Sequence, residues 1–458
     1  MANTHDLTQG DILKKLLKVA VPIMGTQLMQ MLYNLTDMFW LGRTADSVVA
    51  VASSGLAGMY LWLGMALLMI GRMGSEIGTS QNLGMGDTDS AKDYAQNSTR
   101  IALILGILYG LMLIVFARPL VKVLSVTDKK VFDNTCVYLR IVGLGIPLTY
   151  VSAAITGIFN GAGNSRLSFW ANAVGLLVNM ILDPLMILIW GWDVIGAAIA
   201  TVIAQATVCG LFILFIKRHH HRPFEKFHIL GSLDSAKIKQ ITKWSLPVAM
   251  ESGAFTILAM VVTSMVTYYY GETAVAVQRV GSQIESLSWL IGGGFSSAVT
   301  AFVGQNYGAR KWSRIRKGYR ISLFTLLAWE ALVTVFLIFG GRFFFSLFLS
   351  EPPEILDMGQ TYLTILAGCQ LAMALEGSCA GTFRGMGRTL PPSLCSIASN
   401  LIRPGLCWVF AQWMGLNGMW LGITVSAVLR GIMMFIWYTL FERNLPKVDE
   451  AMPQPAFQ

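Results

Sequence analysis

Apolar runs follow one another from about position 18 to position 441, and only short polar segments part them. About twenty apolar residues suffice to cross roughly 30 Å of hydrocarbon as a helix. Lipid offers no partner to a backbone N–H or C=O, so helices are the only open-ended element that can span it. We place the runs near 18–41, 47–71, 98–116, 136–159, 168–190, 194–216, 244–270, 276–304, 320–340, 359–383, 392–413 and 417–441. The expected fold class is therefore all-α integral membrane, with about twelve transmembrane helices. Composition agrees. The chain is 54% hydrophobic and 13% charged, whereas soluble domains carry about 25% charged residues.

The formal net charge of +9 has a topological explanation. Basic residues collect in 217–243, from Lys217 to Lys243, and in 305–320, from Arg310 to Arg320. Both segments fall on the side of the basic N-terminal stretch. The opposite turns near Trp190, Gly271 and Gly415 carry none, and Arg118, Lys122, Lys129 and Lys130 are the exception. This bias puts both termini and the central segment in the cytoplasm, and the expected location is the inner (plasma) membrane. It does not call for a nucleic-acid partner. No cleavable signal peptide is visible in the polar opening residues. His219–His221, beside Arg218 and Arg222, read as a solvated linker rather than a metal site. Cys136, Cys209, Cys369, Cys379, Cys395 and Cys407 fall in or beside apolar runs, with no metal-like pairing and no implied disulfide framework. The abundant Met and aromatic residues are mostly lipid-facing bulk and interface belts.

The chain repeats itself. Ser80-Gln-Asn-Leu-Gly84 recurs as Gly304-Gln-Asn-Tyr-Gly308, and Gly157-Ile-Phe-Asn-Gly-Ala-Gly163 recurs as Gly381-Thr-Phe-Arg-Gly-Met-Gly387, at one constant offset. Asn179-Met-Ile-Leu-Asp-Pro184 is echoed by Asn400-Leu-Ile-Arg-Pro404, and Gly196 by Gly418. An even number of spans separates the copies, so both run the same way through the membrane. Two parallel six-helix repeats are expected, a transporter signature. The boundaries follow: 1–217 for the first half, 218–243 for a cytoplasmic linker, 244–442 for the second half, and 443–458 for a disordered polar tail. Gly157-x-x-x-Gly161 and Gly381-x-x-x-Gly385 fit a helix-packing face, but their place at a span end favours a tight turn.

Acids inside apolar runs are costly and mark function by default. Asp37 lies in the first span. Asn179 and Asp183, at i and i+4 in the fifth, share one helical face. Pro184 follows, removing a backbone hydrogen bond and freeing a carbonyl near Met180. Such a group can bind a proton or a hard cation such as Na⁺, with Thr201 adding a hydroxyl. The plain alternative is that Asp37 and Asp183 only tie helices together. In the second half the candidate acids are Glu251, Glu285 and Glu376, with Arg279 placed to partner Glu285. Arg403 stands roughly where the first half has Asp183. Arg72 and Glu76 read as a structural ion pair and Glu330 as a lipid-end or packing residue. Gly84-x-Gly86 lacks the strand and pattern of a phosphate loop, and no nucleophile–His pairing or HExxH is present, so neither ATP-driven transport nor an enzyme is expected.

These residues resemble the multidrug and toxic compound extrusion (MATE) family along essentially the whole chain. The resemblance rests on Asn34-Leu-Thr-Asp37 with Gly42, Gln305-Asn-Tyr-Gly-Ala309, Gly157-Ile-Phe-Asn-Gly-Ala-Gly163, Asn179-Met-Ile-Leu-Asp-Pro184 and Arg384-Gly-Met-Gly387. It implies two six-helix lobes, an N-lobe and a C-lobe, around a central cleft. It also implies an N-lobe site for Na⁺ or H⁺ at the positions matching Asp37, Asn179, Asp183 and Thr201. A sodium-coupled branch has a C-lobe site with an acid in span seven and an Asp with a nearby Tyr in span ten. Here Glu251 is shifted from the first position, Met373 and Cys369 stand at the others, and Glu376 is out of register. The N-lobe is therefore the expected coupling site.

The implied function is secondary antiport. Small organic, cationic amphipathic, drug-like compounds leave in exchange for Na⁺ or H⁺, with no further cofactor, no partner beyond substrate and membrane lipid, and a monomeric state. The alternative is a flippase for lipid or lipid-linked oligosaccharide, which would need a cleft richer in basic residues. The sequence does not choose between Na⁺ and H⁺.

Overall fold

The computed structural model describes residues 6–44, 46–124, 126, 128–219, 222–348 and 353–450. His220, His221 and the tail beyond 450 lie outside them. Thirteen α-helices follow in order: α1 (Ile12–Leu41), α2 (Ser47–Gly84), α3 (Thr88–Val115), the short α4 (Ala117–Val123), α5 (Lys129–Gly161), α6 (Ser165–Pro184), α7 (Asp193–Arg218), α8 (Ser235–Gly308), α9 (Trp312–Phe348), α10 (Pro353–Ala367), α11 (Gln370–Gly385), α12 (Leu390–Met414) and α13 (Leu416–Glu442). Polar side chains outside the apolar runs set several starts. Asp87 accepts from the Ser90 N–H at the head of α3, Asp128 from Lys130 and Val131 at the head of α5, and Asp234 from Ala236 at the head of α8.

Among the described residues, nine helices are long and apolar enough to cross a membrane, and α10 with α11, bent by 44°, make a tenth span. The 74-residue α8 is two spans, because its helix breaks at Gly271 (φ 79°, ψ −176°), a conformation closed to residues with a Cβ. Counting the 30-residue α1, which is not among those apolar helices, gives twelve among the described residues, in two repeats.

The chain divides into two compact units. One holds Val21–Ala249 and the other holds Leu7–Ala20 with Met250 onward. The boundaries differ from the sequence-based ones, because α1 begins in the second unit and α8 begins in the first. Each division falls beside a proline, Pro22 or Pro247. The start of the chain is fastened to the second unit through the repeated Gln-Asn pair. The Leu7 N–H donates to Gln305 Oε1 at 2.9 Å, and Asn306 Nδ2 donates to the Leu7 carbonyl at 3.2 Å.

The expected linker is not a free loop. Phe224 and Phe227 stack on each other at 6.2 Å and are buried in the core of the first unit. The Arg100 guanidinium donates to the carbonyls of His228, Ile229 and Ser232. The tail is also held at Asp449 and Glu450. Asp449 accepts from the Ser313 N–H and hydroxyl, and Glu450 pairs with Arg310 at 2.7 Å.

The paired glycines correct the turn reading. In the first unit, a Cβ on Gly157 would collide with the Arg72 carbonyl of α2, and one on Gly161 would come within 2.6 Å of the Glu76 carbonyl. In the second unit, Gly381 and Gly385 meet the Ser296 and Thr300 carbonyls of α8 at 2.6 and 2.7 Å. Both motifs are close-packing faces between helix backbones. The turns come just after them, at Gly163 (φ 75°) and Gly387 (φ 72°). All six cysteines are buried and unpaired.

Candidate functional site

In the first unit α1, α5, α6 and α7 bring polar groups to one place. Asn179 and Asp183 sit one turn apart on α6, fully buried, and Asn179 Nδ2 donates to Asp183 Oδ1 at 3.0 Å. The Asp37 carboxyl of α1 lies against the Asp183 carboxyl and the Asn179 amide. Thr201 of α7 is buried, and the hydroxyls of Tyr33 and Tyr138 approach it. All four first-half candidates are therefore gathered in one site, and two tyrosines join them. Tyr33 was legible in principle, since it precedes Asp37 by one helical turn. Tyr138 had no signal in its apolar run.

The polar accounting of this site is incomplete. Among the described residues, Asp37 Oδ1, Asp183 Oδ2, Asn179 Oδ1 and Thr201 Oγ1 are enclosed without a hydrogen-bonding partner of proper geometry. Buried oxygens left so cost about 1–3 kcal/mol each. Two touching carboxylates in apolar surroundings repel unless a proton or cation lies between them. The donor set of two carboxyls, an amide oxygen and a hydroxyl suits a hard cation or a shared proton. The residues thus fit the coupling ion expected from the sequence.

The helix carrying this site is irregular, one turn later than expected. Pro184 ends the regular part of α6, and Leu185–Ile189 continue as a π-helical turn closed by the Trp190 N–H on the Leu185 carbonyl at 2.9 Å. Such turns recur at functional sites. Gly196 lets α7 approach this turn, since a Cβ there would lie 2.8 Å from the Met186 carbonyl.

The second-half acids each have a polar partner of their own. Glu251 accepts from Arg384 at 3.0 and 3.1 Å and from Ser393 at 2.9 Å. Glu376 pairs with Arg430 at 2.7 Å. Glu285 accepts from Gln370 at 3.1 Å. Among the described residues it forms no ion pair with Arg279, so that expected pairing is corrected. Arg403 is buried on α12, with its Nε donating to Ser426 Oγ at 2.9 Å. Glu330, read as a lipid-end or packing residue, is instead hydrogen-bonded to Ser288 in a buried polar group.

A family model described as MatE matches residues 22–185 and 247–409. The chain is 24% identical to "Probable multidrug resistance protein NorM" of Thermotoga maritima, over 93% of this chain and 92% of that one. It is 23% identical to "Multidrug export protein MepA" of Staphylococcus haemolyticus, over 97% and 96%. A crystal structure described as MATE in complex with MaD3S superimposes with a TM-score of 0.91 at 22% identity, covering 97% of this chain and 99% of that one.

Proposed function

Because the chain belongs to the MATE family of membrane transporters, we propose that it is a multidrug exporter. It expels small organic, cationic amphipathic compounds in exchange for Na⁺ or H⁺, from a plasma membrane with both termini in the cytoplasm. The names of its relatives support export of drug-like compounds. The single observation that carries the coupling role is the set of unpartnered oxygens around Asp37 and Asp183. The ion satisfies these oxygens, with Asn179 and Thr201 as neutral ligands and Tyr33 and Tyr138 closing the site around Thr201.

Coupling requires the ion to bind two conformations of the transporter with different affinity. A site assembled from four helices meets that requirement, because a small shift of α1 or α6 changes the number of oxygens within reach. The π-helical turn after Pro184 gives α6 a place to yield.

The test uses purified protein in proteoliposomes, with a fluorescent organic cation and separately imposed Na⁺ and pH gradients. One of the two gradients drives export by the native protein. Asp37→Asn and Asp183→Asn each lower that export by about tenfold or more, as loss of about 1.4 kcal/mol of ion affinity would. Undiminished export by both variants sinks the coupling role.

A further inference from the structure

The second unit contains a buried polar chain that the coupling site does not use. Ser288, on the arm of α8 beyond Gly271, is 2.6 Å from Glu330 Oε2 of α9 and 2.8 Å from Gln370 Oε1 of α11. Gln370 Nε2 donates to Glu285 Oε1 at 3.1 Å and to the Leu366 carbonyl at 3.2 Å. Ser288, Glu330 and Gln370 are 2%, 1% and 0% exposed, and Glu285 is half-buried. Two partly buried acids of this unit, Glu251 and Glu376, have an arginine at ion-pair distance. Among the described residues, Glu285 and Glu330 do not.

A count of hydrogens decides the state of this chain. A serine hydroxyl has one hydrogen and an amide nitrogen has two. Both amide hydrogens are engaged by Glu285 and Leu366. Ser288 cannot donate to Glu330 and Gln370 at once. If both glutamates were ionised, one of its two short contacts would set lone pairs face to face. One added proton removes the conflict. Glu330 then donates to Ser288, Ser288 to the Gln370 oxygen, and the amide to Glu285.

Turning the amide over does not avoid the requirement, and side-chain amide orientation is assigned from such networks. Its oxygen would then face Glu285 Oε1, which would have to carry the proton, and would also face the Leu366 carbonyl. The surroundings favour the first arrangement. Glu285 is the more open of the two acids, with Arg403, Arg430, Tyr362 and Cys369 around it, whereas Glu330 is 1% exposed. Glu330 Oε1 instead packs against Gly292, 3.3 Å from where a Cβ would stand.

We propose that the second unit binds one proton of its own, held on Glu330 by the Ser288–Gln370–Glu285 chain. Glu285 is the ionised, partly open end. The site shares no residue with the Asp37–Asp183 group and stands whether or not that group couples transport.

Infrared spectroscopy of the full-length protein in lipid nanodiscs tests it. The parent carries Asp37→Asn and Asp183→Asn, so the first unit contributes no protonated carboxyl from its own site. At neutral pH the parent shows the carbonyl stretch of a protonated carboxylic acid. Adding Glu330→Gln abolishes it, whereas adding Glu285→Gln leaves it in place. Ser288→Ala shifts it, because Glu330 loses its acceptor. Glu330→Gln should unfold at the parent's temperature, since its amide donates to Ser288 as the protonated acid does. Absence of the band from the parent, or a band unaltered by Glu330→Gln, overturns the proposal. Should Glu330→Gln fail to fold, an unshifted band in Ser288→Ala overturns it equally.

Discussion

Asn179 has the simplest role to isolate, because its amide nitrogen makes one side-chain bond, to Asp183. Asn179→Ala removes that donor and leaves a second Asp183 oxygen unsatisfied. We expect a loss of about 1–3 kcal/mol in stability, read as a lower unfolding temperature in detergent, and weaker ion-driven export. Tyr138→Phe removes only a hydroxyl near Thr201. It should slow export without that loss, and an equal fall in unfolding temperature would count against a role in the site. The sequence made Asn179 and Asp183 legible because their spacing puts them on one helical face. It made Asp37 legible because an acid in an apolar run has few innocent explanations. It could not sort the second-half glutamates. Glu251, Glu285 and Glu376 look alike in the chain, and what separates them is whether Arg384, Arg430 or Gln370, all distant in sequence from Glu251 and Glu285, ends up beside them. Glu330 was passed over for the same reason, since its partner Ser288 carries no distinctive pattern.

Among the helices, the repeated glycines govern how closely neighbours approach. Gly157→Val and Gly381→Val each force apart backbones that now touch. An overpacked site of this kind costs about 1–3 kcal/mol, and the two variants should lower the unfolding temperature by similar amounts. A silent Gly381→Val would argue that its contact with Ser296 matters less than the geometry indicates. Gly271 bears on connectivity instead. Gly271→Ala meets no neighbouring atom but strains a backbone conformation that only glycine adopts freely, so its cost should be about 1–3 kcal/mol. The spans themselves were readable from apolar length alone, and the repeat gave their grouping. The π-helical turn after Pro184 was not readable, because Pro predicts that a helix is disturbed but not that it recovers with a wider turn.

At the level of the whole molecule, the two-repeat plan was legible from Gln81 and Gln305, Gly157 and Gly381, and their neighbours. The ends of each repeat were not. Sequence composition marks 218–243 as a polar linker, whereas Phe224, Phe227 and the carbonyls held by Arg100 make it part of the first unit. Hydrophobic pattern reports which residues avoid water, not which of two similar units a helix end joins. The result is an exchange. The first repeat gives Leu7–Ala20 to the second unit, and the segment up to Ala249, including the start of the second repeat, completes the first. The chain is thus built like two swapped partners fused into one polypeptide. Severing it inside 218–243 would leave neither fragment with a whole core. Fragments produced separately should be degraded, and co-production should rescue both into a transport-competent pair. Two fragments that each fold alone would show that the exchanged ends are dispensable. A gene duplication that kept such an exchange would tie the halves' fates together, so that neither copy could be lost or replaced without the other.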